Sequence, residues 1–381
     1  MKRKIIAVIL GLCLTMGLGT VAHAAENDME PNTAPQQSAA AKAAIAQDAS
    51  SVTPGENQES PAPVPGWKTE DGKKYYVKQD GKLETGYKKI DGKYYYFDSD
   101  GVMGTGLQKI DGRLYWFHES GSAMGKGWVS CHDGNKRYGL GNGKLSTGYK
   151  KIGKDYYYLD SNDGAMAKGT ASVKGKPYYF KSSGKAAGKG WIKLSSGNKK
   201  YCLGKGKLKT GWASIGGYGY YFQSKDGAMA RNTKVKGVKI GKSGKLNKAY
   251  GGAIKVLDKK GWSLRSAFNY SARLRYYRPL PRNGKPGSAW FAKYGFKNSK
   301  GNCYVMASTF YYMAKVMGYD VHQMSGYVWS NPHSWCVIKH KDRTYVYDPN
   351  FTNETGRNGY KIYYGKKGTW RYTVNRSHRM N

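Results

Sequence analysis

The sequence predicts a multidomain chain of 381 residues: an all-β solenoid of hairpin repeats followed by an α+β domain. Three observations predict it. From Gly66 onward a glycine opens a new unit every 20 to 21 residues, with tyrosine-rich runs between. From about Lys248 that repeat stops, and an apolar stripe of helical period appears, followed by two runs of alternating residues. The first 65 residues carry neither pattern.

The N-terminus has the layout of a secretory signal. Lys2, Arg3 and Lys4 precede an apolar stretch from Ile5 to about Val21, and Ala22–His23–Ala24 is a small-x-small cleavage site. Residues 1–24 are therefore expected to be removed, leaving Ala25 first. No other segment is long and apolar enough to cross a bilayer, so the mature chain is expected to lack a transmembrane segment. Residues 25–65 are rich in Ala, Gln, Ser, Asn and Pro and offer little to a core, which predicts a disordered linker.

The repeats begin at Gly66, Gly86, Gly106, Gly127, Gly148, Gly169, Gly190 and Gly211, with a weaker ninth at Asn232. Each unit is an aromatic strand, a turn such as Asp91–Gly92, a second strand such as Tyr94–Tyr95–Tyr96–Phe97, and a glycine-rich connection. That is one β-hairpin per unit. A lone hairpin cannot bury enough surface, so about nine hairpins over residues 66–247 are expected to stack. A slower period lies inside the first. The leading glycine is followed by Trp67, Tyr87, Leu107, then Trp128, Tyr149, Thr170, then Trp191, Trp212, Thr233. Two rings and a non-aromatic side chain recur every three units, which predicts three hairpins per superhelical turn. Trp67, Tyr87, Trp128, Tyr149, Trp191 and Trp212 are the candidate walls of shallow sites for cations or sugar rings. The alternative is that these rings only staple the solenoid. Cys131 and Cys202 lie three units apart, and a disulfide between them is conceivable, although one sits on a first strand and the other on a second.

The run Gly66–Trp67–Lys68–Thr69–Glu70–Asp71–Gly72–Lys73–Lys74–Tyr75–Tyr76 and the segments Asp-Gly-Ala-Met at 163–166 and 226–229 resemble the cell-wall-binding repeats of Gram-positive surface proteins, which are related to choline-binding modules and clostridial toxin repeats. The resemblance implies a secreted protein held at the wall of a Gram-positive bacterium. Choline-binding members carry more tryptophan, whereas this chain often has Tyr, Leu or Thr, so the wall polymer is left open. The formal net charge of +39 attracts anionic polymers, and for an exported chain those are teichoic acid or anionic polysaccharide. The lysines are spread through every repeat and no nucleic-acid fold signature accompanies them, so nucleic acid is not the expected partner. No phosphate-binding glycine loop and no metal cluster is present in the sequence, and no cofactor is expected.

The C-terminal region, 248–381, holds the candidate chemistry. Met306, Phe310, Met313 and Met317 form a helical stripe after Cys303, with Asn302 as N-cap and Gly318 as the stop. Cys303 would then lie in the first turn, where unpaired N–H groups and the helix dipole favour a negative charge. The thiolate is the nucleophilic form. Two strands follow, one opening at His333 and one ending at Asp348. A four-residue loop Lys339–Asp342 pairs His333 with Asp348. A two-residue loop Lys341–Asp342 sets Asp348 opposite Trp335, a diagonal step away. Either even loop leaves His333 and Asp348 on one face, and parity turns Cys336 and His340 to the other. Thiol, imidazole and orienting carboxylate are the groups that acyl transfer through a thioester needs. The structural alternatives are an inert buried thiol and a Cys303–Cys336 disulfide.

Residues 252–350 resemble a bacterial transglutaminase-like domain of the papain-like superfamily. The likeness is carried by Gly301–Asn302–Cys303–Tyr304, Ala307, Phe310, Met317–Gly318–Tyr319, Ser325–Gly326–Tyr327, His333–Ser334–Trp335 and Tyr347–Asp348–Pro349, with residues 257–277 similar to the helix before the nucleophile. The resemblance implies Cys303 as nucleophile, His333 as base and Asp348 as orienter, acting on a peptide or glutamine amide. The family holds transamidases, proteases and other amide hydrolases, and the triad does not separate them. A peptidoglycan amidase shares it. The remaining alternative is a non-catalytic wall-binding or adhesive protein.

Overall fold

The computed structural model describes residues 64–278, 286–328, 330–364 and 372–379, with side chains as far as Tyr372 in the last segment. These residues fall in one compact unit. The expected signal peptide and nearly all of the expected linker lie outside the described residues, as does most of the loop at 279–287.

Nine antiparallel hairpins run in order over residues 66–77, 86–97, 106–117, 126–141, 148–159, 169–180, 190–202, 211–222 and 233–240. The tips explain their shape. Asp71–Gly72, Asp91–Gly92 and Asp111–Gly112 take positive φ at both residues, the geometry that matches strand twist in a two-residue turn. The fourth and seventh hairpins have longer tips, closed by Cys131 N to Asn135 O at 2.8 Å and Leu194 N to Asn198 O at 2.9 Å.

Each hairpin is sewn to the next. The segment after one hairpin donates to the second strand of the hairpin before it, as in Met103 N to Lys74 O, Met166 N to Lys136 O and Met229 N to Lys199 O, all 2.8 Å. The leading ring also leans on the following hairpin, Trp67 on Tyr95 at 4.8 Å and Trp191 on Tyr220 at 5.1 Å. Phe97, Phe117, Leu159, Phe180, Cys202 and Phe222, which close the second strands, are fully buried. The slower period is present in the contacts. Tyr87 Oη donates to Asn142 O, and three hairpins later Tyr149 Oη donates to Lys205 O. Arg137 Nε donates to Asp163 O, and three hairpins later Lys200 Nζ donates to Asp226 O. Cys131 and Cys202 are both free thiols in separate apolar clusters, so no disulfide joins them.

Five helices and an antiparallel sheet follow: α1 (Lys248–Lys260), α2 (Leu264–Ala272), α3 (Ser288–Asn298), α4 (Cys303–Met317) and α5 (Pro349–Thr355). The sheet comprises β1 (Val321–Val328), β2 (Asn331–His340), β3 (Arg343–Tyr347), β4 (Ile362–Tyr363) and β5 (Tyr372–Arg379), in the order β4-β3-β2-β1-β5. The similarity of residues 257–277 to one helix is corrected here. Gly261 stops α1 at φ 100°, and Ser263 caps α2 by accepting from Ser266 N, so the stretch is the end of one helix and a second one, and α3 intervenes before Cys303. Among the described residues no helix is long and apolar enough to cross a membrane.

The repeats and the helices share one core. Trp212, Ala230, Val238, Ile240 and Leu246 from the last two hairpins and the connection after them pack in the same cluster as Ile254 and Leu257 of α1, Phe268 of α2 and Phe310 and Met313 of α4. At the contact, a Cβ on Gly251 would collide with Gly217 O, so only glycine lets α1 meet the tip of the eighth hairpin. Helix α4 is buried almost all round, not on the Met306–Phe310–Met313 stripe alone, because α1, α2, α3 and the sheet enclose it.

Candidate functional site

Asn302 starts α4 by accepting from Val305 N at 3.3 Å, and Gly318 ends it at φ 100°. Cys303 is thus the first helical residue and is nearly buried. Strand β2 carries His333 and strand β3 leads into Asp348. The connection between them is the two-residue one: His340 pairs with Arg343 and Cys336 with Tyr347, with Lys341 at φ 54°. That register carries Asp348 to the level of Trp335, diagonal to His333. The diagonal is short enough, with His333 Nε2 2.9 Å from Asp348 Oδ2.

With Nε2 committed to the carboxylate, Nδ1 is the ring nitrogen left for the Cys303 thiol, which lies within hydrogen-bonding reach of the ring. Burial alone would lower the His333 pKa. The hydrogen bond and charge of Asp348, together with Cys303, outweigh it and raise the imidazole to about 10. The ring is therefore held as imidazolium beside the sulfur. Asp348 is 1% exposed. Burial would raise its pKa, but the bonds from His333, Tyr372 and Phe351 N overcome that and hold it below the usual carboxylate value.

Sequence reasoning missed two supports of this trio. Tyr372 Oη donates to Asp348 Oδ2 at 2.7 Å, and its ring lies 4.9 Å from Trp335, which stacks on His333 at 6.2 Å. Asp348 also caps α5, its Oδ1 accepting from Phe351 N at 3.0 Å, with Pro349 in the first turn. An Asp-Pro pair is a helix-start signal that the sequence already displayed. The second support is Gln323 of β1, fully buried. Its Oε1 accepts from Ser308 Oγ at 2.9 Å, and its Nε2 donates to Tyr304 O at 3.3 Å and Ser334 Oγ at 3.0 Å. One side chain thereby ties the helix carrying Cys303 to the strand carrying His333.

Cys336 faces away from the trio, as parity predicts. It is fully buried against α4, donates to Ala307 O at 3.2 Å, and burial pushes its thiol pKa well above the ordinary value. It is a free thiol, as is Cys303. Among the described residues no group of His, Cys, Asp or Glu could hold a metal ion.

The candidate ring residues divide into three kinds. Trp67, Trp128 and Trp191 are 44, 37 and 40% exposed. Each leans edge-on against the tyrosine opposite it, Tyr76, Tyr138 or Tyr201, and meets a tyrosine of the next hairpin. Tyr87 and Tyr149 are half-buried, stack on Tyr94 and Tyr156, and spend their hydroxyls on backbone carbonyls. Trp212 is 5% exposed and lies in the core beneath α1, so its ring is not offered to solvent.

Residues 84–128 match the family described as a choline-binding repeat, and residues 66–83 and 147–166 match the one described as a putative cell wall binding repeat. The chain therefore carries repeats of the choline-binding, cell-wall-binding type. Solved structures similar to it include CbpJ from Streptococcus pneumoniae TIGR4, at 31% identity over 45% of this chain and 61% of that one, TM-score 0.35. Choline binding protein F from Streptococcus pneumoniae, in the presence of a peptidoglycan analogue, is similar at 30% identity over 48% and 57%, TM-score 0.25. The modular autolysin LytC from Streptococcus pneumoniae is similar at 23% identity over 47% and 41%, TM-score 0.31. The chain spans less than two-thirds of each of these proteins. No curated protein matches it. The family matches fall within residues 66–166 and bear on the repeats alone.

Proposed function

We propose that this chain is a secreted protein held at a cell wall by its hairpin repeats, and that its C-terminal domain is a transglutaminase-like cysteine acyl-transfer enzyme. The wall-binding part is supported by the family matches over the repeats. Proteins similar to it were solved with wall ligands, choline binding protein F with a peptidoglycan analogue and LytC with a synthetic peptidoglycan ligand.

One observation carries the catalytic part: His333 Nε2 is engaged by Asp348 while Cys303, at a helix start, lies within hydrogen-bonding reach of the same imidazole. In this reading the Cys303 sulfur attacks the carbonyl carbon of a peptide or glutamine amide. The oxyanion is met by the backbone N–H of Cys303. His333 gives its proton to the departing amine, and a thioester remains. An entering amine or a water then attacks the thioester, His333 takes up its proton, and the Cys303 sulfur leaves as thiolate beside the restored imidazolium. Amine entry makes a transamidase; water entry makes a protease or peptidoglycan amidase.

The second reading is a wall-binding protein without catalysis. The family matches favour it over the first, since they concern only the repeats and do not touch the C-terminal domain. Wild type and Cys303→Ala, incubated under reducing conditions with a protein substrate and a labelled primary amine, separate the two by mass spectrometry. Label on glutamine, lost in the variant, is the transamidase result. Cleaved or deamidated product without label is the hydrolase result. Sedimentation with cell walls and no Cys303-dependent product on protein or wall peptides leaves the binding reading.

A further inference from the structure

The Trp67, Trp128 and Trp191 clefts share a feature that ring stacking does not require. Across the strand pair from each tryptophan's own strand stands a lysine in the same register position: Lys74 opposite Thr69, Lys136 opposite Ser130, Lys199 opposite Lys193. The backbone carbonyls of these three lysines accept the three equivalent bonds from Met103, Met166 and Met229, so the positions are structurally equivalent. Two of the clefts are open cavities. One of about 240 Å³ is walled by Trp67 and Tyr95 with Lys68 and Lys74. One of about 380 Å³ is walled by Trp191 and Tyr220 with Lys193, Lys199 and Lys245.

No carboxylate lines either cavity. Lys68 is paired with Glu70, but Lys74, Lys193, Lys199 and Lys245 form no salt bridge among the described residues. A quaternary ammonium ion entering such a cleft would gain the ring face and lose to several like charges. An anionic group would gain from both, because its sugar or polyol carbons can lie on the ring while its charge meets the ammonium groups.

We propose that these three clefts are binding sites for one anionic sugar or polyol polymer, read at three equivalent positions along the repeats, and are not sites for a free cation. This rests on the wall-binding reading and names its ligand chemistry. The shared chemistry is an anionic group on a carbohydrate-like backbone, a phosphodiester or a uronate.

The test is calorimetric titration of the full chain with a poly(glycerol phosphate) oligomer, polygalacturonate, dextran and choline chloride. The variant Lys74→Gln/Lys136→Gln/Lys199→Gln is compared with Lys109→Gln/Lys154→Gln/Lys225→Gln. The second set removes the same charge from exposed positions outside the two cavities. The expected result is binding to one of the two anionic polymers, weakened about tenfold or more in the cleft variant and far less in the control, and falling with added salt. Which anionic polymer binds tells phosphodiester from uronate. Equal weakening in both variants would reduce the effect to net charge and overturn the proposal, as would dextran binding as tightly or choline displacing the polymer. Sedimentation with whole cell walls, without binding to either anionic polymer, overturns this inference and leaves the wall-binding reading standing. Failure to sediment with walls as well removes both.

Discussion

Replacing Asp348 by Asn asks whether His333 is held charged by its buried partner. In the wild type the imidazole is raised from 6.5 to about 10. At about 1.4 kcal/mol per unit, that is about 5 kcal/mol of preference for the charged ring, a quantity belonging to the coupled group of His333, Asp348 and Cys303. The folded value lies above the unfolded one. The charged ring therefore contributes its full stabilisation below pH 6.5, and that contribution is lost as pH rises through about 10. The Asp348→Asn substitution keeps the shape and removes the charge, leaving burial to push the ring the other way. The His333 value should fall by about 1–3 units. Selective ¹³C labelling of histidine Cε1 reads this directly, with the His333 signal assigned by its loss in His333→Gln. A wild-type signal titrating at the ordinary histidine value would refute the reasoning. So would an Asp348→Asn signal that titrates where the wild type does.

Three further outcomes are expected. Iodoacetamide on the native protein should alkylate Cys303 and spare Cys336, whose thiol is fully buried and bonded to Ala307 O; peptide mapping that finds both labelled at one rate would contradict the parity argument. Tyr372→Phe removes one donor from a buried carboxylate, worth about 1.5–3 kcal/mol for a charged acceptor, and should lower the His333 value by less than Asp348→Asn does while keeping the tilted ring contact with Trp335. Trp212→Ala empties part of the shared core and should cost about 3–5 kcal/mol. Its thermal melt should shift the tyrosine-rich repeats and the helices together, whereas two independent transitions in the wild type would contradict a common core.

The hairpins were legible because their information is local. An Asp-Gly tip and a period of 20 to 21 residues fix a hairpin without reference to anything distant. His333 and Asp348 were legible for a related reason, since strand parity is a counting argument that holds for either loop length. Only the structure chose between the loops, because a two-residue and a four-residue turn use the same residues. Tyr372 was hidden by topology: β5 lies beside β1, at the far edge from β4, so its hydroxyl reaches Asp348 by a sheet order that no short window contains. Trp212 was misleading in another way. It follows a glycine just as Trp191 does, and only the arrival of α1 buries one ring and leaves the other open. The lysines of the clefts were visible as charge but not as positions, because the longer tips of the fourth and seventh hairpins offset them from the first.

The shared core beneath Gly251 and Trp212 replaces a tether by a fixed arm. A flexible linker would let the Cys303 sulfur search a sphere around its anchor. Here the last hairpins and the helix that follows them interlock, so the distance from each ring cleft to that sulfur is a constant of the molecule. With a polymer held in the clefts as proposed, the thiol would stand at one set height along it. If Cys303 is the nucleophile proposed above, amides at that height would meet the sulfur and those above or below would not. The layering of the surface would then select the substrate before any pocket does, and lengthening the array by three hairpins would move the reacting layer by one repeat of the arm.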